Sequence, residues 1–187
     1  LEFNALHSIT GKREAIGFLG STARPLGGSL RQSLLALLLA ATLATGWLGG
    51  RVTMPAIGGW YAGLAKPGFT PPNWVFAPVW TTLYVAMAVA AWLAFGARGA
   101  RGAAGGARIL FWVQLALNLA WSCVFFGARD PGWAFATILV LDASVAATTL
   151  RFWRLDRRAG LLLLPYCAWI AYATALNLAI WRANLPA

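Results

Sequence analysis

Apolar residues fall into five runs along the chain, at residues 33–50, 75–96, 109–127, 133–153 and 160–181, with polar or proline-rich stretches between them. A helix rising 1.5 Å per residue needs about 20 apolar residues to cross a hydrocarbon core of roughly 30 Å. Each run meets or nearly meets that length. Together they take most of the chain and leave no room for a separate soluble domain. The pattern predicts an all-α membrane protein, a bundle of five transmembrane helices over residues 31–187. The first run follows Arg31 as a secretory signal's apolar region would. It continues into Gly46-Trp47-Leu48-Gly49-Gly50 without a small-x-small cleavage pattern, so it reads as a retained helix. Residues 1–30 are polar, glycine-rich and without a period. They read as a native tail or a remnant of cloning.

The connections differ in character. Residues 128–132 read as a tight turn between antiparallel helices. Residues 51–78 hold Pro55, Pro67, Pro71, Pro72 and Pro78 together with Trp60, Tyr61, Phe69, Trp74 and Phe76. A connection stiffened by prolines and loaded with aromatics reads as an ordered lid. The alternative is that its rings lie in the headgroup layer.

Within the runs, side chains three and four apart share a face. In the third run Gln114, Asn118, Trp121 and Phe125 line up, and Ala116, Ala120, Cys123 and Gly127 lie opposite them. Small residues at this spacing let helices approach closely in lipid, which makes Ala116, Ala120 and Gly127 the candidate seam of a homodimer. The amides of Gln114 and Asn118 either bond between helices or line a cavity. In the fifth run Tyr166, Trp169, Ala173, Leu176, Asn177 and Ile180 share a face, below a bend expected at Pro165. The second run offers Trp80, Tyr84, Met87 and Ala91. Trp112, Trp153 and Trp181 fit an interfacial belt, whereas Trp80, Trp121 and Trp169 are placed to meet inside the bundle. Asp142, at mid-run, should face a polar neighbour: a structural hydrogen bond, or a proton relay that lacks a second acid or base.

Composition supports the membrane reading. Charged residues are 11% of the chain and hydrophobic ones 60%, against roughly 25% charged in soluble domains. Mean hydropathy is +0.67. The net charge of +10 would suggest nucleic acid on a soluble protein. Here the basic residues sit between the runs, eleven on the N-terminal side and four on the other, so nucleic acid is not an expected partner. By that count the N-terminus is cytoplasmic. Cys123 and Cys167 lie in apolar runs and read as buried small hydrophobes, and the single histidine, His7, lies in the polar tail. No metal, cofactor or catalytic constellation is expected. A cavity walled by indoles suits a flat, hydrophobic, aromatic ligand oriented by a few amides.

These residues also form a pattern. Trp60-Tyr61-Ala62-Gly63-Leu64-Ala65-Lys66-Pro67 precedes Pro71-Pro72-Asn73-Trp74-Val75-Phe76-Ala77-Pro78-Val79-Trp80-Thr81-Thr82-Leu83-Tyr84. Later come Gln114 to Trp121, Phe125-Phe126-Gly127-Ala128-Arg129, Gly132-Trp133, Pro165-Tyr166-Cys167-Ala168-Trp169 and Ala175-Leu176-Asn177, ending in Trp181-Arg182-Ala183-Asn184. Over residues 35–184 the chain resembles the TspO/MBR family. The resemblance implies a five-helix fold, commonly homodimeric, with a ligand pocket under the first loop. It implies binding of porphyrins such as protoporphyrin IX and of isoquinoline or benzodiazepine drugs. By position the pocket would use Tyr61, Phe76, Ala77, Trp80, Asn118, Trp121, Trp133, Trp169, Ala173 and Leu176. The animal members' cholesterol motif has a tyrosine between its aliphatic and basic residues. Residues 176–182 lack that tyrosine, which speaks against sterol recognition there.

Three functions fit the resemblance: a receptor or transporter for tetrapyrroles, a light-dependent porphyrin-degrading enzyme using Trp80 and Trp169, and a scaffold whose pocket is regulatory. The arginine-, alanine- and glycine-rich composition points to a bacterial cell membrane.

Overall fold

The computed structural model describes residues 28–97 and 100–185. The polar segment up to residue 27, with His7, lies outside them. Among the described residues six α-helices follow in order: α1 (Gly28–Ile57), α2 (Trp60–Gly63), α3 (Asn73–Gly96), α4 (Ala100–Ser122), α5 (Pro131–Leu155) and α6 (Arg157–Ala183). A π-turn, Cys123–Gly127, extends α4. No strand occurs among the described residues. Among the described residues five helices are long and apolar enough to cross a membrane, as the five runs predict.

The helices close into a ring in the order α1, α3, α6, α5, α4, each packed on the next. The α4–α5 turn is set by local chemistry. Arg129 takes a left-handed φ of 58°. The Asp130 carboxylate then caps α5 by accepting from Gly132 N and Trp133 N at 3.0 Å each, with Pro131 in the first turn, where its missing N–H costs nothing. A single extended residue, Asp156, joins α5 to α6, and its carboxylate accepts from Arg158 N at 2.8 Å. Gly160 makes that reversal possible: a Cβ there would stand 2.8 Å from Trp153 Cα.

Two boundaries differ from the sequence expectation. α1 begins at Gly28, before residue 33, and continues past Gly50 to Ile57. Arg51 does not end it, because a long cationic side chain at a helix end can reach the interface while its backbone stays helical. Pro55 falls in the last turn, and Gly58 and Gly59 finish the helix. On the far side, Asn73 already starts α3, and Pro78 is carried within it. The connection is therefore residues 58–72, about half the length read from proline density.

The faces read from spacing are those observed. Tyr84, Met87, Ala91, Gln114, Asn118, Phe125, Tyr166, Ala173, Leu176, Asn177 and Ile180 are buried. Ala116 and Gly127 are exposed and Ala120 half-buried, on the outer side of α4. Gly127 also serves the chain's own packing, since a Cβ there would meet Val52 at 3.2 Å. Cys123 differs from its expectation of burial: helical spacing puts it on this same outer face as Ala116 and Ala120, and it is exposed there. Cys167 is half-buried, with Sγ 3.3 Å from Thr149 Oγ1. Trp181 is not a free belt residue; it stacks on Phe135 with centroids 5.7 Å apart. Asp142 accepts a 2.7 Å hydrogen bond from Thr174, the interhelical contact expected of a mid-span carboxyl.

Candidate ligand cavity

One end of the bundle encloses a cavity of about 430 Å³. Its walls come from four long helices and its roof from the first loop. α3 supplies Phe76, Ala77, Trp80 and Tyr84, the end of α4 supplies Trp121, Phe125 and Phe126, and α6 supplies Trp169, Ala173, Leu176 and Asn177. Tyr61 closes the roof.

The aromatic walls are held by one another. Trp80 stacks on Tyr84 at 5.6 Å and meets Tyr166 edge-on at 6.4 Å. Phe76 sets its edge against Trp169 at 5.9 Å. The π-turn brings two consecutive residues, Phe125 and Phe126, to the same cavity with centroids 4.8 Å apart. In an α-helix, neighbours point about 100° apart; the wider turn relaxes that divergence. Tyr61 packs against both rings, at 6.3 and 5.6 Å.

Below the aromatics lies a buried polar chain. Tyr84 OH donates to Asn118 Oδ1 at 2.6 Å, and Asn118 Nδ2 donates to Tyr166 OH at 3.1 Å. Tyr166 OH in turn donates to Gln114 Oε1 at 3.0 Å. The amides of Gln114 and Asn118 thus bond between helices rather than line the cavity. A second link fixes Trp121: its Nε1 donates to Asn177 Oδ1 at 2.9 Å, while Asn177 Nδ2 donates to Pro131 O at 2.8 Å. Trp169 Nε1 is different, being buried without a hydrogen-bond partner among the described residues. An unpaired indole N–H in a cavity wall is a donor still to be used.

The roof is tied down at several points. The Asn184 side chain pairs with the Ala65 backbone in both directions, accepting from its N–H at 3.0 Å and donating to its carbonyl at 2.9 Å. Tyr172 OH donates to Phe69 O at 2.7 Å. Lys66 Nζ donates to the carbonyls of Tyr61, Ala62 and Leu64 at 2.8, 3.0 and 2.8 Å, ending α2, and lies 5.0 Å from the Tyr61 ring centroid. Burial pushes the Tyr61 phenol above its ordinary range, helped by neighbouring Tyr172, so it stays neutral.

Of the positions named from the resemblance, Tyr61, Phe76, Ala77, Trp80, Trp121, Trp169, Ala173 and Leu176 line the cavity. Asn118 sits one layer below, in the polar chain. Trp133 lies apart: at the start of α5 it is 72% exposed, turned outward by the Asp130 cap. Sequence reasoning missed α1, which contributes Leu43, Gly46, Trp47, Gly50 and Met54. The available signal was the glycine cluster. Gly46 lets α1 press onto Tyr84, whose ring would lie 2.6 Å from a Cβ. Among the described residues, no three His, Cys, Asp or Glu side chains gather as metal ligands.

The profile of the TspO/MBR family matches residues 37–182. The chain is 44% identical over 126 residues to the translocator protein of Homo sapiens, covering 67% of this chain and 75% of that one. It is 40% identical over 144 residues to the tryptophan-rich protein TspO of Archaeoglobus fulgidus, covering 77% and 92%. It is 41% identical over 126 residues to the tryptophan-rich sensory protein of Cereibacter sphaeroides, covering 67% and 77%. With five spanning helices and these relatives, the chain is a multi-pass integral membrane protein and belongs to the TspO/MBR family.

Proposed function

We propose that this protein is a membrane receptor or transporter for porphyrins, protoporphyrin IX and related tetrapyrroles of the haem pathway, regulating tetrapyrrole or stress responses. The same cavity would accept isoquinoline- or benzodiazepine-type ligands. The observation that carries the reading is a cavity of about 430 Å³ faced by Trp80, Trp121 and Trp169 under a fastened roof. Flat aromatic ligands bind such walls by stacking, and Trp169 Nε1 offers one donor for orientation. Quenching of tryptophan fluorescence by protoporphyrin IX tests it. Phe substitutions at Trp80, Trp121 and Trp169 should weaken binding several-fold, and the same change at Trp112 or Trp153 should not. Equal effects at all five positions would remove the cavity assignment.

A second reading is light-dependent porphyrin degradation by Trp80 and Trp169. It is favoured by the position of both oxidisable indoles in the cavity wall. Defined products over many turnovers would support an enzyme; one turnover with damaged tryptophans would be photochemistry alone.

The receptor is proposed to work as a homodimer through Ala116, Ala120 and Gly127, whose small side chains suit close packing in lipid. Ala120→Leu should then shift the dimer towards monomer in light scattering. We place it in a bacterial cell membrane with the N-terminus cytoplasmic. Of the described basic residues, Arg31, Arg108, Arg151, Arg154, Arg157 and Arg158 belong to that end of the bundle.

A further inference from the structure

The cavity's seams can be followed one at a time. Between α1 and α4 the helices touch: a Cβ on Gly49 would stand 3.4 Å from Ser122 Oγ, and one on Gly127 3.2 Å from Val52. Between α3 and α6 the Phe76–Trp169 and Trp80–Tyr166 pairs close the wall. Between α4 and α6 the Trp121–Asn177 hydrogen bond does so. The roof is fastened by Asn184 and Tyr172. The floor is sealed where Gly46 meets the Tyr84 ring.

The α1–α3 seam above Gly46 is different. Among the described residues, no hydrogen bond or aromatic pair joins the two helices there. The cavity's lining on this side is also outer surface. Trp47 is 64% and Met54 70% exposed on α1, while Asn73, Ala77 and Thr81 are exposed on α3. A Cβ on Gly50 would meet nothing within 4 Å. The two helices meet at Gly46 and Tyr84 and leave a cleft towards the loop, and that cleft faces acyl chains.

We propose that this cleft is a lateral portal, through which a flat, apolar, membrane-dissolved ligand passes between the bilayer and the cavity while the roof stays shut. A porphyrin partitions into lipid before it meets the protein, so the route needs no exposure of the cavity aromatics to water. The choice of ligand rests on the porphyrin reading above; the portal does not.

Stopped-flow quenching with protoporphyrin IX delivered in vesicles tests the route in reconstituted protein. Gly50→Phe and Thr81→Trp narrow the mouth from opposite sides. Each should slow both association and dissociation, by about tenfold, the signature of a gate, whereas a lost contact would speed dissociation. Asn184→Ala, which unfastens the roof, should leave both rates within about twofold. The opposite pattern, faster exchange in Asn184→Ala and none of the slowing in the mouth variants, would place the route through the roof. Weaker binding through faster dissociation in the mouth variants would make the cleft part of the site and overturn the portal. A ligand-free measurement separates this from failure of the porphyrin reading. In a background lacking Cys123 and Cys167, Ala173→Cys deep in the wall should react faster with a lipid-soluble maleimide than with a charged one. Thr81→Trp should slow the lipid-soluble reagent. Equal or faster labelling by the charged reagent would overturn the portal whatever the ligand.

Discussion

The two ends of the bundle use the same helices and reach opposite packing. At the end where α1 begins and α3 finishes, Ala88, Ala90, Ala91, Ala94, Ala104 and Ala107 are fully buried around Phe95, Phe111 and Phe152. The three rings interlock, with Phe95 edge-on to Phe111 at 5.8 Å and to Phe152 at 5.7 Å, and Phe111 stacked on Phe152 at 6.2 Å. At the other end, indoles and phenyls stand off around an open volume. Alanines beside rings fill the space between helices. Rings beside rings, with glycines on the facing helix, hold the helices apart. Small residues are thus used in two ways, to tighten one end and to make room at the other.

Several substitutions would break or sharpen this contrast. The largest effect should come from the closed end. Phe111→Ala empties a fully buried site and should cost about 3–5 kcal/mol of stability, read by thermal unfolding in detergent, with ligand affinity nearly unchanged. A small loss there would mean that the closed end is not the mechanical core. Next is the polar layer between the ends. Asn118→Leu strands the Tyr84 hydroxyl in a buried site and should cost about 2 kcal/mol by the same measurement. Gly46→Ala should cost about 1–2 kcal/mol, because a Cβ 2.6 Å from the Tyr84 ring must push it aside. It should also disturb the cavity, so affinity and melting temperature should fall together. The smallest effect belongs to the open end. Trp121→Phe keeps a ring but loses the bond to Asn177; it should weaken porphyrin binding by about 1 kcal/mol, several-fold in Kd, and lower stability by about 1 kcal/mol because Asn177 Oδ1 is left unpaired.

The inner faces around the cavity were legible in the sequence because helical period alone assigns them, whereas the Phe95, Phe111 and Phe152 cluster of the closed end was not read from it. Tyr84 shares its face with Met87 and Ala91, Asn118 with Gln114 and Trp121, and Tyr166 with Ala173 and Asn177, each at helical spacing on its own helix. Trp133 shows where position misleads. Its place after Gly132 matched a pocket residue, but its orientation follows from a cap three residues away at Asp130, which no periodicity reports. The α1 wall was missed for a related reason: Gly46, Gly49 and Gly50 carry no side chain whose pattern could be read, and their contribution is the space they leave. Loop bounds were overestimated because prolines inside a helix near its ends look the same in sequence as prolines in a linker. Pro55 and Pro78 are both of the helical kind.

The pairing of Asn184 with Ala65 has a consequence for how the molecule is made. The two residues are separated by 119 positions and by every helix after the first loop. A chain emerging from the ribosome N-terminus first presents Ala65 long before its partner exists. While the later helices are being inserted, the loop lacks this fastening and the aromatic chamber has no sixth helix as a wall. The segment that ends α6 is therefore the one that fastens the roof. Maturation has a natural order, bundle first and roof last, and a chain cut just before residue 184 would keep its five spanning helices with this fastening of the roof missing.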